Sequence, residues 1–203
     1  MRSFSEIDTT IKRASKAIGF SWGIAEEIGK NIRLLELFGL PGVSTINQYY
    51  KIYKKHQFQN ISLISQNNTS KIPYCPIIAG VNFLDQIKIM EELSNIKFEN
   101  IAFPILFIPF ASRASEIIGK KILLKIDKIE FLINFNQSIF CNYVINNEII
   151  DISKNLIVEF IDNKDNFNEI EWNELYKLSE ETFVEESDDL KEKAAGAGLT
   201  DND

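Results

Sequence analysis

Residues 3–42 read SFSEIDTTIKRASKAIGFSWGIAEEIGKNIRLLELFGLPG, and the apolar spacing in this stretch sets the class of fold. Ser3 and Glu6 have the spacing of a capping box, in which the hydroxyl accepts the Glu6 amide and the carboxylate reaches back to the Ser3 backbone. Phe4, Ile7, Ile11, Ala14 and Ile18 then recur every three or four residues, the stripe of an amphipathic helix, and Gly19 stops it. Ser21 opens a second helix with its own stripe of Ala25, Ile28, Ile32, Leu35 and Phe38, stopped by Gly39 and Pro41. A third helix is expected from about Ser44 to Lys55, completing a helical N-terminal layer over residues 1–58.

Working outward, the period changes. NISLIS (60–65) predicts a strand and QNNTS (66–70) a turn, while CPIIAGVNFLDQ (75–86) suits a helix opened by Pro76 or a strand through Ile77 and Ile78. IAFPILFIPF (101–110) reads as a strand buried on both faces or at an edge that tolerates proline. ASRASEIIG (111–119) reads as a short helix starting near Ala111 or Ser112 and ended by Gly119. KILLKID (121–127) and IEFLINF (129–135) alternate as a meander, followed by SIFCNYVI (138–145) and NLIVEFI (155–161). NEIEWNELYKLSEETF (168–183) predicts a last helix, with Ile170, Trp172, Leu175 and Leu178 toward the core. The expected fold is α+β: an N-terminal helical layer on a mixed, largely antiparallel sheet, with a C-terminal helix and tail. The 203 residues are read as one domain, divided as 1–58, 59–165 and 166–203.

The net charge of −7 is unevenly spread. Residues 1–60 hold nine Lys/Arg against five Asp/Glu, and residues 158–203 hold four against fifteen. Overall acidity argues against nucleic acid and anionic membranes as partners, and the asymmetry predicts that the acidic end docks on the basic start, within one chain or between two in a homodimer. No leader-like apolar segment opens the chain, and residues 101–110 are too short and too proline-rich for a membrane helix. Cys75 and Cys141 are far apart and read as free thiols, so a cytoplasmic location is expected. No cofactor or metal site is legible.

His56 is the only histidine, which rules out a multi-histidine zinc site and leaves one candidate for any triad; in YKIYKKHQFQ it reads as a helix-end side chain. In FIPFASRASE, a strand running straight into a helix would bring free amide groups, Ser112, Arg113 and Ser115 onto a small anionic ligand; the plainer alternative has Ser112 capping the helix and Arg113 paired with a carboxylate. In GFSWGIAEEIGK, Glu26 or Glu27 would serve as general base in a pocket floored by Trp22, or else both face solvent. Gly23 inside that helix predicts a close helix contact that rejects a bulky side chain. At the end of the chain, Gly196, Gly198, Leu199, Asp201, Asn202 and Asp203 predict a docked tail, with Leu199 as apolar anchor and the carboxylates setting register.

Three stretches resemble an uncharacterised bacterial family, the domain of unknown function 3726: GFSWGIAEEIGKNIRLLELFGLPG, the CPIIAG region, and the closing AAGAGLTDND. Trp22, Gly23, Ala25, Glu26, Glu27 and residues 39–42 match its opening pattern, and Gly196 to Asp203 its closing one. The chain departs from it at ETFVEESDD, which lacks the Tyr-Val-Pro and arginine of similar sequences. The resemblance implies no activity, because the family has none assigned. Two functions remain open at this point. One is an anion-binding or accessory interaction protein with a structured tail. The other is an enzyme acting on a small anionic substrate, with Glu26 or Glu27 as base and Arg113 orienting the substrate.

Overall fold

The computed structural model describes residues 2–53, 57–142 and 149–182. The chain divides into two compact units, Met1–Asn163 and Lys164–Asp203.

In the first unit, helices α1 (Phe4–Ile18), α2 (Trp22–Leu37) and α3 (Gly42–Tyr53) come first. The Ser3 hydroxyl accepts the Glu6 amide and the Ser21 hydroxyl the Ile24 amide, so both caps sit where serine can satisfy an orphan N–H. The Glu6 side chain pairs with Arg2 at 2.8 Å. Gly19 ends α1 at φ 122°, a conformation open to glycine. Strand β1 (Asn67–Asn68) follows, then α4 (Pro76–Met90), β2 (Asn95–Ala102), a 3₁₀ turn (Pro104–Phe107) and α5 (Ile108–Ile118). Strands β3 (Lys121–Ile126), β4 (Ile129–Ile133), β5 (Ile139–Cys141) and β6 (Ile152–Ile161) complete a six-stranded sheet of order β1-β2-β6-β3-β4-β5. Every strand pair is antiparallel except β1 with β2.

The fold class is the expected α+β one; two local readings are corrected, one left open is settled, and one strand is added. Residues 60–65 form no strand; the strand lies next door at Asn67–Asn68, where a turn was expected, held by the Asn68 amide donating to the carbonyls of Ser65 and Lys97. Residues 101–110 are not one strand. β2 ends at Ala102, Phe103 turns the chain at φ 41°, and Pro104 and Pro109 open helical turns in which their missing N–H groups cost nothing. Residues 75–86 settle as helix, with Cys75 capping and Pro76 in the first turn. β2 itself, in which Ile96, Phe98 and Ile101 are fully buried, had gone unread.

The core lies between the helices and one face of the sheet. Phe83, Phe98, Phe107, Phe110 and Phe131 are among its largest rings, with Phe107 5.2 Å from Phe83 and 5.5 Å from Phe98 between centroids. Ile122, Leu124, Ile126, Leu156 and Val158 point into it from β3 and β6. Leaving a side chain of this size enclosed stabilises by about 1.5–3 kcal/mol.

In the second unit, α6 (Glu169–Glu180) opens with a complete capping box between Asn168 and Glu171. Ile170, Trp172, Leu175 and Leu178, expected toward the core, are 72%, 50%, 63% and 60% exposed, and α6 has no buried residue. The tail motif from Gly196 to Asp203 lies outside the described residues.

Candidate functional site

Gly29 decides how closely α1 approaches α2: a Cβ there would stand 2.6 Å from Asp8 Oδ1 and 2.7 Å from the Asp8 carbonyl. The approach brings Lys12 Nζ to 3.0 Å from one oxygen of Glu26, while Lys30 Nζ holds the other at 3.1 Å. Lys30 also lies 3.5 Å from Glu27, and Glu27 in turn receives a hydrogen bond from Arg113 of α5. Five side chains of alternating charge thus run from α1 across α2 to α5. Two of the sequence-derived candidates, Glu27 and Arg113, meet directly, each about a quarter to a third exposed.

The chemistry of this cluster is that of a latch. Lys12, and after it Lys30, holds the Glu26 carboxyl below the usual carboxylate range, which makes it a weaker proton acceptor. Hydrogen bonding to Glu26 raises the Lys30 ammonium above its ordinary value. Arg113 presents its guanidinium to a carboxylate of its own chain.

The other candidates are placed differently. α5 begins at Ile108, so Ser112 is in its second turn and caps nothing; the free amide groups expected beside it are not there. Ser112 Oγ is buried with no hydrogen-bond partner among the described residues, and Ser115 Oγ donates to the Lys120 carbonyl at 2.5 Å. Trp22 is 57% exposed, with Lys16 Nζ 5.5 Å from its ring. Gly23 meets nothing within 4 Å, so the close helix contact expected there is made by Gly29 instead. His56 is outside the described residues.

Two features escaped the sequence reading. One is a groove of about 890 Å³ between α1, the end of α2 and the start of α3. Phe4, Ile7, Ile11 and Val43 line it, with Arg2, Glu6 and Glu36 among its polar residues. Its α3 side is fixed by Glu36 Oε1, which accepts the Val43 amide at 2.7 Å. The exposure of Phe4 (46%) and Val43 (40%) shows that neither side chain is spent in the core. Phe4 and Ile7 belong to the apolar stripe of α1; Ile7 packs partly against the core while Phe4 overhangs, and nothing in their spacing distinguishes the two.

The other is a buried aromatic cluster. Tyr49 OH lies 3.1 Å from Cys75 Sγ, Tyr50 OH 2.5 Å from Ser15 Oγ, and Phe20, Tyr53, Phe58 and Phe103 surround them. Burial pushes the Tyr49 hydroxyl and the Cys75 thiol up, so neither is poised as a nucleophile. The triplet of tyrosines in QYYKIY was the available signal. Among the described residues no cluster of His, Cys, Asp and Glu is arranged to hold a metal, and no helix is long and apolar enough to cross a membrane.

Compared with known proteins, residues 2–75 match the family model described as a protein of unknown function (DUF3726). The match spans α1 to β1 and reaches the cap of α4, so the groove and the α1–α2 part of the charge cluster lie within it, while Arg113 and strands β2 to β6 lie beyond it. No curated protein and no solved structure matches the chain.

Proposed function

We propose, for a chain whose helical layer resembles a family of unknown function, that it is a binding protein whose α1–α3 groove takes an apolar ligand or an apolar partner segment. One observation carries this reading: a groove of about 890 Å³, within the size range of small-molecule sites, has an apolar floor of Phe4, Ile7, Ile11 and Val43 beside a few polar groups. Catalysis fits less well, because Glu26 is tied up by two lysines and Glu27 by Arg113. A medium-chain alkyl carboxylate or alkylamine, titrated into the protein, should raise its melting temperature by mass action on the native state. Ile7→Glu, which puts a charge on the groove floor, should remove that effect while leaving the helical circular dichroism in place. Equal stabilisation of both proteins by every probe would refute the reading.

The enzyme alternative rests on a different observation, the meeting of Glu27 and Arg113 across α2 and α5. For Arg113 to orient a small anionic substrate, Glu27 would have to release it. Millimolar sulfate or phosphate should then stabilise the parent protein, and Arg113→Ala should abolish the effect. Equal stabilisation of both would reduce it to salting-out. We keep the acidic tail as a clasp, in cis or between two copies, on the sequence grounds of charge asymmetry and the Gly196–Asp203 motif.

A further inference from the structure

The sheet has two faces of different character. Ile122, Leu124, Ile126, Phe131, Ile133, Leu156 and Val158 are buried on one. On the other, from β5 across to Lys97, Glu99 and Ile157, none of the alternating side chains is buried; at the end of β2 and the start of β6 this face closes over Ile101 and Ser153, both buried. The strand register fixes what this second face contains. Phe140 of β5 stands opposite Leu132 of β4, Leu132 opposite Leu123 of β3, and Leu123 opposite Glu159 of β6. One residue pair along, Glu130 faces Lys125, Lys125 faces Ile157, and Ile157 faces Lys97 of β2.

An antiparallel sheet with one face in water normally carries polar side chains there. Here the β3–β4–β5 half carries an unbroken cross-strand row of Phe140, Leu132 and Leu123, with Phe140 62% exposed. Around it the charges balance: Lys97, Lys121 and Lys125 against Glu99, Glu130 and Glu159, with Lys97–Glu99 and Lys125–Glu159 each paired at 2.7 Å.

We infer that this open sheet face is the surface through which two copies of the chain associate. A two-fold dimer sets one patch against itself, so the patch must be self-complementary. A face of one sign would repel its own copy; this one has no net charge, and four of its six charges are already paired within the chain. The apolar row would form the dry centre and the ion pairs the rim, as stable interfaces are built. The same balance disfavours the other occupants. Three of the six charges are glutamates, so the face has no cation excess to draw in the acidic residues of the C-terminal quarter or a polyanion.

The test is the oligomeric state of the full chain, followed by sedimentation velocity from about 1 µM to about 1 mM protein. The parent should pass from monomer to dimer across that range. Leu132→Lys, which puts a like charge at the centre of both copies, should weaken the dimer on the order of tenfold or more. Phe140→Ser, on a short edge strand and already exposed, serves as a second variant that the fold tolerates, and it should weaken the dimer too. Ile7→Glu, in the groove, should leave the dimer unchanged. A parent that stays monomeric throughout, or a dimer indifferent to both sheet variants, overturns the inference. So does a dimer dissolved by Ile7→Glu alone.

Discussion

The same substitution, glycine to alanine, should change stability in opposite directions at three helical positions. At Gly23 an added Cβ meets nothing within 4 Å, so the main remaining term is helix propensity. Alanine is better than glycine by up to about 1 kcal/mol, less in the first turn, so Gly23→Ala should be neutral to stabilising and raise the melting temperature by at most about 2–4 °C. At Gly80 the Cβ would stand 2.5 Å from Cγ and Cε2 of Phe110, where carbon contacts normally sit about 3.5–4.0 Å apart. Phe110 is fully enclosed and cannot swing away. Overpacking costs about 1–3 kcal/mol, more than the propensity gain can offset, so Gly80→Ala should destabilise by about 1–2 kcal/mol. At Gly29 the obstacle is the Asp8 carbonyl, so α1 itself must retreat, loosening Lys12 from Glu26. A loss of about 1–3 kcal/mol is expected there. Chemical denaturation of the three variants and the parent gives the order directly. If Gly80→Ala proves as stable as Gly23→Ala, the packing argument is wrong.

Other expectations follow from buried polar groups and caps. Asn31 is 2% exposed, and neither its side-chain nitrogen nor its oxygen is bonded among the described residues, so Asn31→Leu should stabilise by about 1–3 kcal/mol in a denaturant melt; a loss of stability would mean that a bound water satisfies it. Burial pushes the Tyr50 hydroxyl up to about 12, outweighing the opposite pull of Ser15. Because the folded value lies above the unfolded one near 10, this stabilisation is whole below about pH 10 and disappears as pH rises toward 12, a loss of about 2–3 kcal/mol for Tyr50 alone. Tyrosinate absorbance should therefore rise together with loss of circular dichroism, and early titration of all tyrosines in a folded protein would contradict it. Asn168→Ala removes the side-chain half of the α6 capping box, which accepts the Ile170 and Glu171 amides, and should cost about 1 kcal/mol of helix stability, read as lower helicity in a peptide of residues 164–182.

The helices whose signals are local were legible. Ser3, Ser21, Gly19 and Gly119 act within a turn of their own position, and each sits where the sequence places it. Residues 101–110 were not, because a run of Ile, Phe and Leu is equally apolar as strand or helix; the two prolines were read as strand exceptions when they were helix openers. β2 was missed because Lys97, Glu99 and Asn100 dilute the apolar residues that alternate with them, and its partners on β6 lie fifty or more residues away. At the candidate site, Glu27 and Arg113 were both named from composition, but their meeting depends on how α2 and α5 pack, which no local pattern encodes. Gly23 and Gly29 occupy the same helix, and only the three-dimensional path of α1 shows which one it crosses.

The sheet order has a consequence for how the chain is made. β6, the last strand among the described residues, lies between β2 and β3 in space. Until residues 152–161 emerge during synthesis, β2 and β3 each present an unpaired edge, β2 having only the two-residue β1 on its other side. The α1–α2 hairpin can form early from neighbouring residues, but the sheet cannot close by growth from either end. It must wait for a central insertion, the kind of long-range pairing that slows folding and leaves strand edges open to other chains. A nascent or truncated chain that stops short of Ile152 should therefore be the form that aggregates, through its two open strand edges.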